Sequence, residues 1–192
     1  MRRNAAQVAL ELLVLRCQDG EKSAWRQLAT EWHPRLLAHA RRLTGRADAA
    51  DDAVQEAWIA ITRGLRKLDD PAAFRAWAYR IVSHKCADCI RKWKRERTLE
   101  RRVACANPRG LASDSHAEAD HEGEDAQLRN AIRSLPAELH AVVALCYGEG
   151  MGIAEIAHAL SIPPGTVKSR LFTARKKLAE AIETTKVERT RS

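Results

Sequence analysis

The sequence contains few of the residues that break helices. Glycine occurs nine times and proline six times in 192 residues, whereas alanine, leucine, arginine and glutamate are common. These four residues have high helix propensity. The composition therefore excludes collagen-like and proline-rich chains and favours helix through most of the protein.

The sequence also lacks a hydrophobic run of the roughly 20 residues needed to cross a bilayer. The apolar stretch Val8–Leu15 is short, carries Glu11 and precedes no small-residue cleavage signal, so we expect no secretory signal. Five cysteines at uneven spacing argue against a disulfide framework and favour a reducing compartment. We therefore expect a cytoplasmic protein without a membrane span.

Charge is unevenly distributed along the chain. Lysine and arginine outnumber aspartate and glutamate by 33 to 25, and the net charge of +8 suggests a polyanionic partner, nucleic acid before membrane. Residues 112–125, in contrast, hold six acidic residues and no basic ones, with almost nothing to bury. This stretch is typical of a flexible acidic linker.

The linker divides an all-α protein into two small helical domains. We predict a first domain at 5–105, the linker at 106–126 and a second domain at 127–185.

The first domain shows helical periodicity from its beginning. Gly20 separates two helices in residues 5–44, Ser23 is a candidate cap, and Pro34 is expected to bend or restart the second helix. Two further helices are predicted, over Asp48–Leu65 and from about Ala72 to Arg97.

The second domain has the pattern of a helix-turn-helix. Apolar residues at Ile153, Ile156, Ala157 and Leu160 precede a turn at 161–165 and a last helix. That helix carries five basic residues and no acid between Gly165 and Ala179, as expected of a helix in a DNA major groove. A basic solvated face on an ordinary helical hairpin is the alternative.

Short strings in the second domain resemble region 4 of extracytoplasmic-function (ECF) sigma factors. These strings are SLP at 134–136, IAEIA at 153–157, GTVKSRL at 165–171 and ARKKL at 174–178. The resemblance implies a helix that reads the minus-35 promoter element. Its candidate DNA-binding residues are Thr166, Lys168, Ser169, Arg170, Phe172, Thr173 and Arg175. Many members carry arginine at the position of Thr173, which suggests a different base preference here.

The first domain resembles region 2 of the same family. The string DDAVQEAW at 51–58 is similar to the segment that docks on the clamp of core RNA polymerase, which implies docking by Asp52, Gln55 and Glu56. Asp52 and Glu56 are four residues apart and share a helix face. An ordinary acidic solvated face is the alternative.

The string FRAWAYRIV at 74–82 is similar to the part of region 2 that melts and reads the minus-10 element. The loop LDDPAA at 68–73 matches the family loop that captures a flipped base, and His84 stands where the family often has asparagine. We interpret Trp77 as a core residue, since its spacing matches Phe74 and Ile81. The candidate minus-10 residues are Asp69, Asp70, Arg80, His84, Lys85, Arg91 and Lys92.

Cys86 and Cys89 have the spacing of a zinc-binding pair and lie near His84. Because the pair falls within one predicted helix and lacks a second ligand pair, we interpret both cysteines as small core residues. A zinc site or a redox switch is the alternative. We expect no metal and no cofactor.

The sequence thus predicts a non-enzymatic sigma factor whose partners are core RNA polymerase, promoter DNA and an anti-sigma factor. Two other classes remain open: a stand-alone helix-turn-helix regulator, and a metal- or redox-responsive regulator using Cys86 and Cys89. A nuclease is disfavoured because no carboxylates cluster beside a metal-ligand set.

Overall fold

The computed structural model describes residues 5–104, 128, 130–132 and 134–190. Within these ranges every regular element is helical and no β-strand occurs, which confirms the predicted all-α fold with two helical domains. The predicted linker lies outside the described residues. No helix in the described ranges is both long and apolar enough to cross a membrane. The main division between the two compact units falls between Lys94 and Arg95.

The first unit is built from four α-helices and two short 3₁₀ turns. The helices are α1 Ala5–Gln18, α2 Lys22–Thr44, α3 Ala47–Gly64 and α4 Phe74–Ala104, of which the first unit holds the part up to Lys94, and the turns are Leu65–Lys67 and Pro71–Ala73. Gly20 and Gly45 follow the ends of α1 and α2 with φ of +87° and +67°. A residue without Cβ adopts these left-handed angles at little cost, so both helices stop where the sequence predicts.

Two local expectations in α2 are wrong. The helix runs unbroken through Pro34, which is exposed, because Trp32 and Leu36 on either side are buried and hold the helix against the core. Ser23 does not cap the helix. The N-cap residue is Glu21, and the Ser23 hydroxyl donates to the Glu21 carboxylate instead.

An aromatic cluster joins α2 to α4. Trp32 packs edge-on against Phe74, with ring centroids 5.0 Å apart, and against Tyr79 at 6.1 Å. His39 packs edge-on against Tyr79 at 5.0 Å. All four side chains are buried, and edge-on aromatic pairs of this kind add stability beyond the area that they bury. The cluster therefore fixes α4, the helix that carries most of the candidate minus-10 residues.

His39 is a buried polar residue within this cluster. Its Nε2 lies 3.0 Å from the Ser83 hydroxyl, which itself donates to the Tyr79 carbonyl at 2.8 Å. Nε2 must then carry the proton and donate, because the hydroxyl proton is already engaged. Nδ1 is buried and has no hydrogen-bond partner in the described structure. Burial, with a smaller effect of the Arg42 charge, lowers the pKa of His39 to about 3, so the ring is neutral.

In the second unit, the described residues after 136 form three α-helices: α5 Ala137–Val143, α6 Ile153–Leu160 and α7 Pro164–Thr190. A π-helical turn, Ala144–Gly148, follows α5. The core of the second unit includes Leu139 and Val142 of α5, Ile156 of α6, and Val167 and Leu171 of α7. The pattern of apolar residues predicts most of this core.

Ile153, which belongs to the apolar pattern of this helix, is an exception, because it is 37% exposed. It is the first residue of α6, so no preceding helical turn covers its side chain.

Between α6 and α7 the chain turns at Ser161, which has φ of +54°. The Pro163 carbonyl then accepts from the amides of Thr166 and Val167, which starts α7 at Pro164. The helix-turn-helix geometry is thus present.

We expect the neutral burial of His39 to make the first unit acid-sensitive. In the unfolded chain His39 binds a proton near pH 6.5, whereas the folded state resists protonation down to about pH 3. Stability is therefore full above pH 6.5 and falls as the pH drops towards 3, by about 2 kcal/mol at pH 5. Urea unfolding followed by tryptophan fluorescence at pH 7 and pH 5 measures this loss.

The matched variants are His39→Leu and His33→Gln. His39→Leu removes the buried titrating group and should flatten the pH dependence, whatever its effect on stability at pH 7. His33 is exposed, accepts from Trp58 Nε1 at 3.2 Å and lies outside the aromatic cluster, so its replacement should leave the loss of stability caused by His39 in place. An unaltered dependence in His39→Leu would contradict this account.

Candidate nucleic-acid and polymerase interface

The three candidate docking residues lie together on the exposed side of α3. Asp52, Gln55 and Glu56 are all exposed, whereas Ala53 and Ala57 are buried on the opposite side. At 3.6 residues per turn, the centre of the first group lies about 160° from the centre of the buried face. The arrangement gives α3 a carboxylate–amide–carboxylate surface.

One docking residue contacts a candidate DNA-binding residue. Glu56 Oε2 lies 3.3 Å from Nζ of Lys85, which is half-buried on α4. The pair is partly exposed to solvent, and such ion pairs contribute little to stability. Replacing Glu56 therefore also changes the surroundings of Lys85, and any test of one residue must account for the other.

The candidate minus-10 residues on α4 form two adjacent rows. Arg80, His84 and Arg91 are exposed and lie within about 40° of one another around the helix, while Lys85 and Lys92 lie about 100° away. Arg91 pairs with the carboxylate of Asp88 on the same helix.

An open cavity of about 310 Å³ lies against the first row. It combines an aromatic ring with a cationic rim. Its lining includes Trp77, Arg80, Ile81, His84, Lys85 and Asp88. An aromatic edge among cations is a surface on which unstacked bases can bind.

Trp77 lines this cavity as well as packing in the core, where its spacing predicted it to lie. Its ring packs at 6.3 Å from Phe74 and contacts α3 so closely that a Cβ added at Gly64 would lie 2.9 Å from Cζ2. The rest of the side chain lines the cavity, and the residue is half-buried overall. Spacing identified the core contact of Trp77 but could not reveal the cavity.

The loop between α3 and α4 presents Asp69 and Asp70 to solvent. Asp70 Oδ1 accepts from the Ala72 amide at 3.0 Å, and Pro71 stands at the first position of the following turn. A carboxylate followed by proline is a favourable start for a helical turn. Asp70 thus shapes the loop.

Four of the candidate minus-35 residues form an exposed strip on α7. Lys168, Ser169, Phe172 and Thr173 all face away from the buried side of the helix, and Phe172 is 71% exposed. The hydroxyl of Ser169 donates to the Thr166 carbonyl, and that of Thr173 donates to the Ser169 carbonyl, both at 3.0 Å. With their protons engaged, both hydroxyls offer lone pairs outward and can accept from base amino groups.

The two candidate arginines flank this strip and are held by partners within the second unit. Arg170 pairs with Glu138 of α5, about 160° around the helix from Lys168. Arg175 donates through Nε to the Tyr147 hydroxyl at 2.8 Å, with its guanidinium 5.8 Å from the Tyr147 ring centre. Tyr147 is 61% exposed and was missed, because it lies on the π-helical turn, where α-helical periodicity gives no signal.

The cysteines differ in burial. Cys86 is 1% exposed, and burial raises the pKa of its thiol to about 12. Cys89 is half-buried, with a pKa raised by burial and then by the carboxylates of Asp52 and Asp88. In the described part of the chain no three histidine, cysteine or carboxylate side chains are arranged to hold a metal ion. Cys105, His116 and His121, whose side chains could also serve as ligands, lie outside the described residues.

Models of known families match both halves of the chain. The model of sigma-70 region 2 matches residues 28–96, and the model of sigma-70 region 4 matches residues 125–178.

Two relatives with this similarity are ECF RNA polymerase sigma factors. The chain is 31% identical over 166 residues to the ECF RNA polymerase sigma factor SigM of Mycobacterium tuberculosis, covering 85% of this chain and 79% of that protein. It is 30% identical over 174 residues to SigW of Bacillus subtilis, covering 86% and 92%.

Solved structures show a similar fold. The structure of CnrH in complex with the cytosolic domain of CnrY has a TM-score of 0.60 and 25% identity, and the match covers 92% of this chain and 98% of that one. The sigma factor RpoE of Bartonella quintana, solved with the anti-sigma factor NepR, also has a TM-score of 0.60. At 22% identity, over 83% of this chain and 96% of that one, it shows the fold alone.

We expect the thiols to react in the order of their burial. Cys89 should react with iodoacetamide at pH 8 at least ten times faster than Cys86 or Cys17, because the pKa values of the last two are raised to about 12 and about 11. Single-cysteine variants analysed by mass spectrometry measure each rate. Equal rates in urea serve as the control, and rapid reaction of Cys86 in the folded protein would contradict its place in the core.

Proposed function

Since this chain belongs to the ECF subfamily of sigma-70 factors and directs transcription initiation, we propose how its residues divide that work. The observation that carries the proposal is the order of the two matched regions. Region 2 matches residues of the first unit, which has the carboxylate–amide–carboxylate surface of α3 and the cavity beside Trp77. Region 4 matches residues of the second unit, which has the exposed strip on α7. We assign the region 2 domain to residues 5–105 and the region 4 domain to residues 127–185, with residues 106–126 as the connecting segment.

Docking on core RNA polymerase is assigned to α3. Asp52, Gln55 and Glu56 present two carboxylates and one amide to solvent. A surface of this charge suits basic helices on the partner, since complementary charge steers association and fixes orientation.

Minus-10 recognition is assigned to the face of α4 and the preceding loop. Strand separation requires cations along the phosphate backbone and a pocket for unpaired bases. Arg80, Lys85, Arg91 and Lys92 supply the first requirement, and His84 is assigned to contact a base. The cavity beside Trp77 and the loop at Asp69 and Asp70 supply the second.

Minus-35 recognition is assigned to α7. Lys168, Ser169, Phe172 and Thr173 face the major groove and read bases. Thr166 lies half-buried at the start of the helix, and its amide already donates to the Pro163 carbonyl, so only its side chain is assigned to DNA contact. Arg170 and Arg175, held at the two sides of the strip by Glu138 and Tyr147, are positioned for the flanking phosphates rather than for bases.

We assign no catalytic step to this chain. Polymerase forms the phosphodiester bonds, and the sigma factor supplies binding energy and promoter choice. Its work is placed in the cytoplasm, where polymerase and promoter DNA meet. An anti-sigma partner is also proposed, because similar structures were solved as complexes, CnrH with CnrY and RpoE with NepR.

The test of this function is transcription in vitro by purified bacterial core polymerase, with and without the protein, on a library of genomic promoter fragments. We expect protein-dependent transcripts that start at a fixed distance from a shared two-part motif. A control sigma factor establishes that the core is active. If the folded protein yields no transcripts but binds a symmetric DNA site without polymerase, it is a stand-alone regulator instead.

We expect Asp52→Ala combined with Glu56→Ala to weaken core polymerase binding about tenfold or more, because two charges that face the partner are lost. Fluorescence anisotropy of labelled protein measures this affinity. Asp51→Ala is the matched control, since Asp51 is exposed on the same helix about 100° away from Asp52. Lys85→Ala breaks the Glu56–Lys85 pair but keeps both carboxylates, so it measures how much of the lost affinity comes from the pair alone. An unchanged affinity in the double variant would refute the docking assignment.

We expect Lys168→Ala to reduce binding to the minus-35 element about five- to thirtyfold and to relax base preference at one position. Lys177→Ala is the matched control, because Lys177 is exposed on the same helix about 180° away. Its replacement should lower affinity for all sequences to a similar, smaller extent. Transcription from promoters mutated one base at a time measures both effects, and equal base preference in the two variants would exclude Lys168 as a base reader.

A further inference from the structure

The side chain of Gln18 reaches from the end of α1 to the loop between α3 and α4. Its Nε2 donates one hydrogen bond to the Leu65 carbonyl at 2.9 Å and another to the Leu68 carbonyl at 2.8 Å. An amide nitrogen has two hydrogens, so both donors of Gln18 are used on this one segment. The partners lie 47 and 50 residues away in sequence.

The two carbonyls mark the beginning and end of a single turn. Leu65 starts the 3₁₀ turn and is fully buried, and the Leu68 amide donates back to the Leu65 carbonyl at 3.1 Å. At Leu68 the backbone becomes extended, with φ of −82° and ψ of 104°. Gln18 therefore fixes the point where the chain leaves the turn and the direction in which it continues.

The far end of the loop is fixed separately. The Asp70 carboxylate accepts from the Ala72 amide, and the Asp70 carbonyl accepts from the Ala73 amide, both at 3.0 Å. Only the short exposed segment around Asp69 remains between the two fixed ends. This segment belongs to the loop to which the proposed function assigns a flipped minus-10 base.

We propose that Gln18 is a positioning residue for promoter melting: by holding the Leu65 and Leu68 carbonyls, it keeps the loop at 68–73 in the shape that captures an unpaired base. The inference rests on the proposed function. It adds a residue from α1, outside the three segments of the first unit, 51–58, 68–73 and 74–82, whose resemblance points to DNA or polymerase.

The physical reason is preorganisation. A loop that is already ordered loses little conformational entropy when a base binds, whereas a loop that must be ordered on binding subtracts that cost from the affinity. Without Gln18 the Leu68 carbonyl loses its side-chain donor, and only the turn's own hydrogen bond remains at that end. A loss of about three- to tenfold in capture of the unpaired base corresponds to one or two hydrogen bonds.

The test uses the complete holoenzyme and a promoter identified by the transcription experiment. The template is a fork junction with a duplex minus-35 element and a single-stranded minus-10 element. A matched series carries one abasic nucleotide at each minus-10 position in turn. Equilibrium affinity is measured for wild type, Gln18→Met and Gln27→Met. Gln27 is an exposed glutamine on α2 that bonds only within its own helix, to Glu31 at 2.9 Å, so it controls for the substitution itself.

We expect Gln18→Met to bind the intact fork three- to tenfold more weakly than wild type and Gln27→Met. At one abasic position the variant and wild type should bind equally, because no base is left to capture there. Core polymerase affinity and the thermal midpoint of the protein should change little. Gln18→Asn, whose amide is one methylene too short to reach both carbonyls, should repeat the result and serves if the methionine variant does not fold.

Two outcomes overturn the inference while leaving the proposed function intact. One is equal binding of the intact fork by the Gln18 variants and wild type. The other is an equal loss on every template, including all abasic ones, which would mean that Gln18 only stabilises the fold. If wild-type holoenzyme does not bind the fork at all, the proposed function itself fails, and the inference fails with it.

Discussion

The contact between α2 and α4 through Trp32, Phe74, Tyr79 and His39 is the interaction on which the first unit depends. It buries four rings at the place where α4 begins, and so fixes the direction of the helix that carries the cationic row and one wall of the cavity. The cluster also carries a free-energy cost, because in the described structure the Nδ1 of His39 is buried without a hydrogen-bond partner. A buried neutral histidine is tolerated there since Ser83 satisfies Nε2 and the rings around it pack closely.

Within each unit, several side chains to which we assign DNA or polymerase contacts have partners at the surface. Lys85 pairs with Glu56, Arg170 with Glu138, and Arg175 with Tyr147. Exposed pairs contribute little to folding, so the exchange for phosphate or polymerase groups that the proposed function requires has a low cost. Each pair also restricts where its cation lies, which in the proposed function reduces the entropy lost on binding. The protein thus combines a packed core with a surface whose interactions are replaceable.

Positions within one helix were predictable because the helical period fixes their relative directions. The exposed strip of Lys168, Ser169, Phe172 and Thr173 and the exposed docking face of α3 follow from spacing alone, as do most of the buried positions opposite them. The breaks at Gly20 and Gly45 follow from the freedom of glycine at positive φ. Family resemblance, and not spacing, supplied the roles of these faces, because an acidic or basic helix face by itself fits many partners.

By itself the sequence determined the all-helical class, the two-domain order and the faces of each helix, since these depend on local periodicity and on motifs that are continuous in the chain. Only the tertiary structure decided which helices meet. The Gln18 contacts with residues 47 and 50 positions away, the Arg175–Tyr147 contact, the burial of His39 and the cavity beside Trp77 all arise between distant segments. Such contacts depend on many weak packing interactions that act together, and no short stretch of sequence encodes their sum. The unbroken path of α2 through Pro34 has the same cause, because core packing on both sides outweighs a local preference.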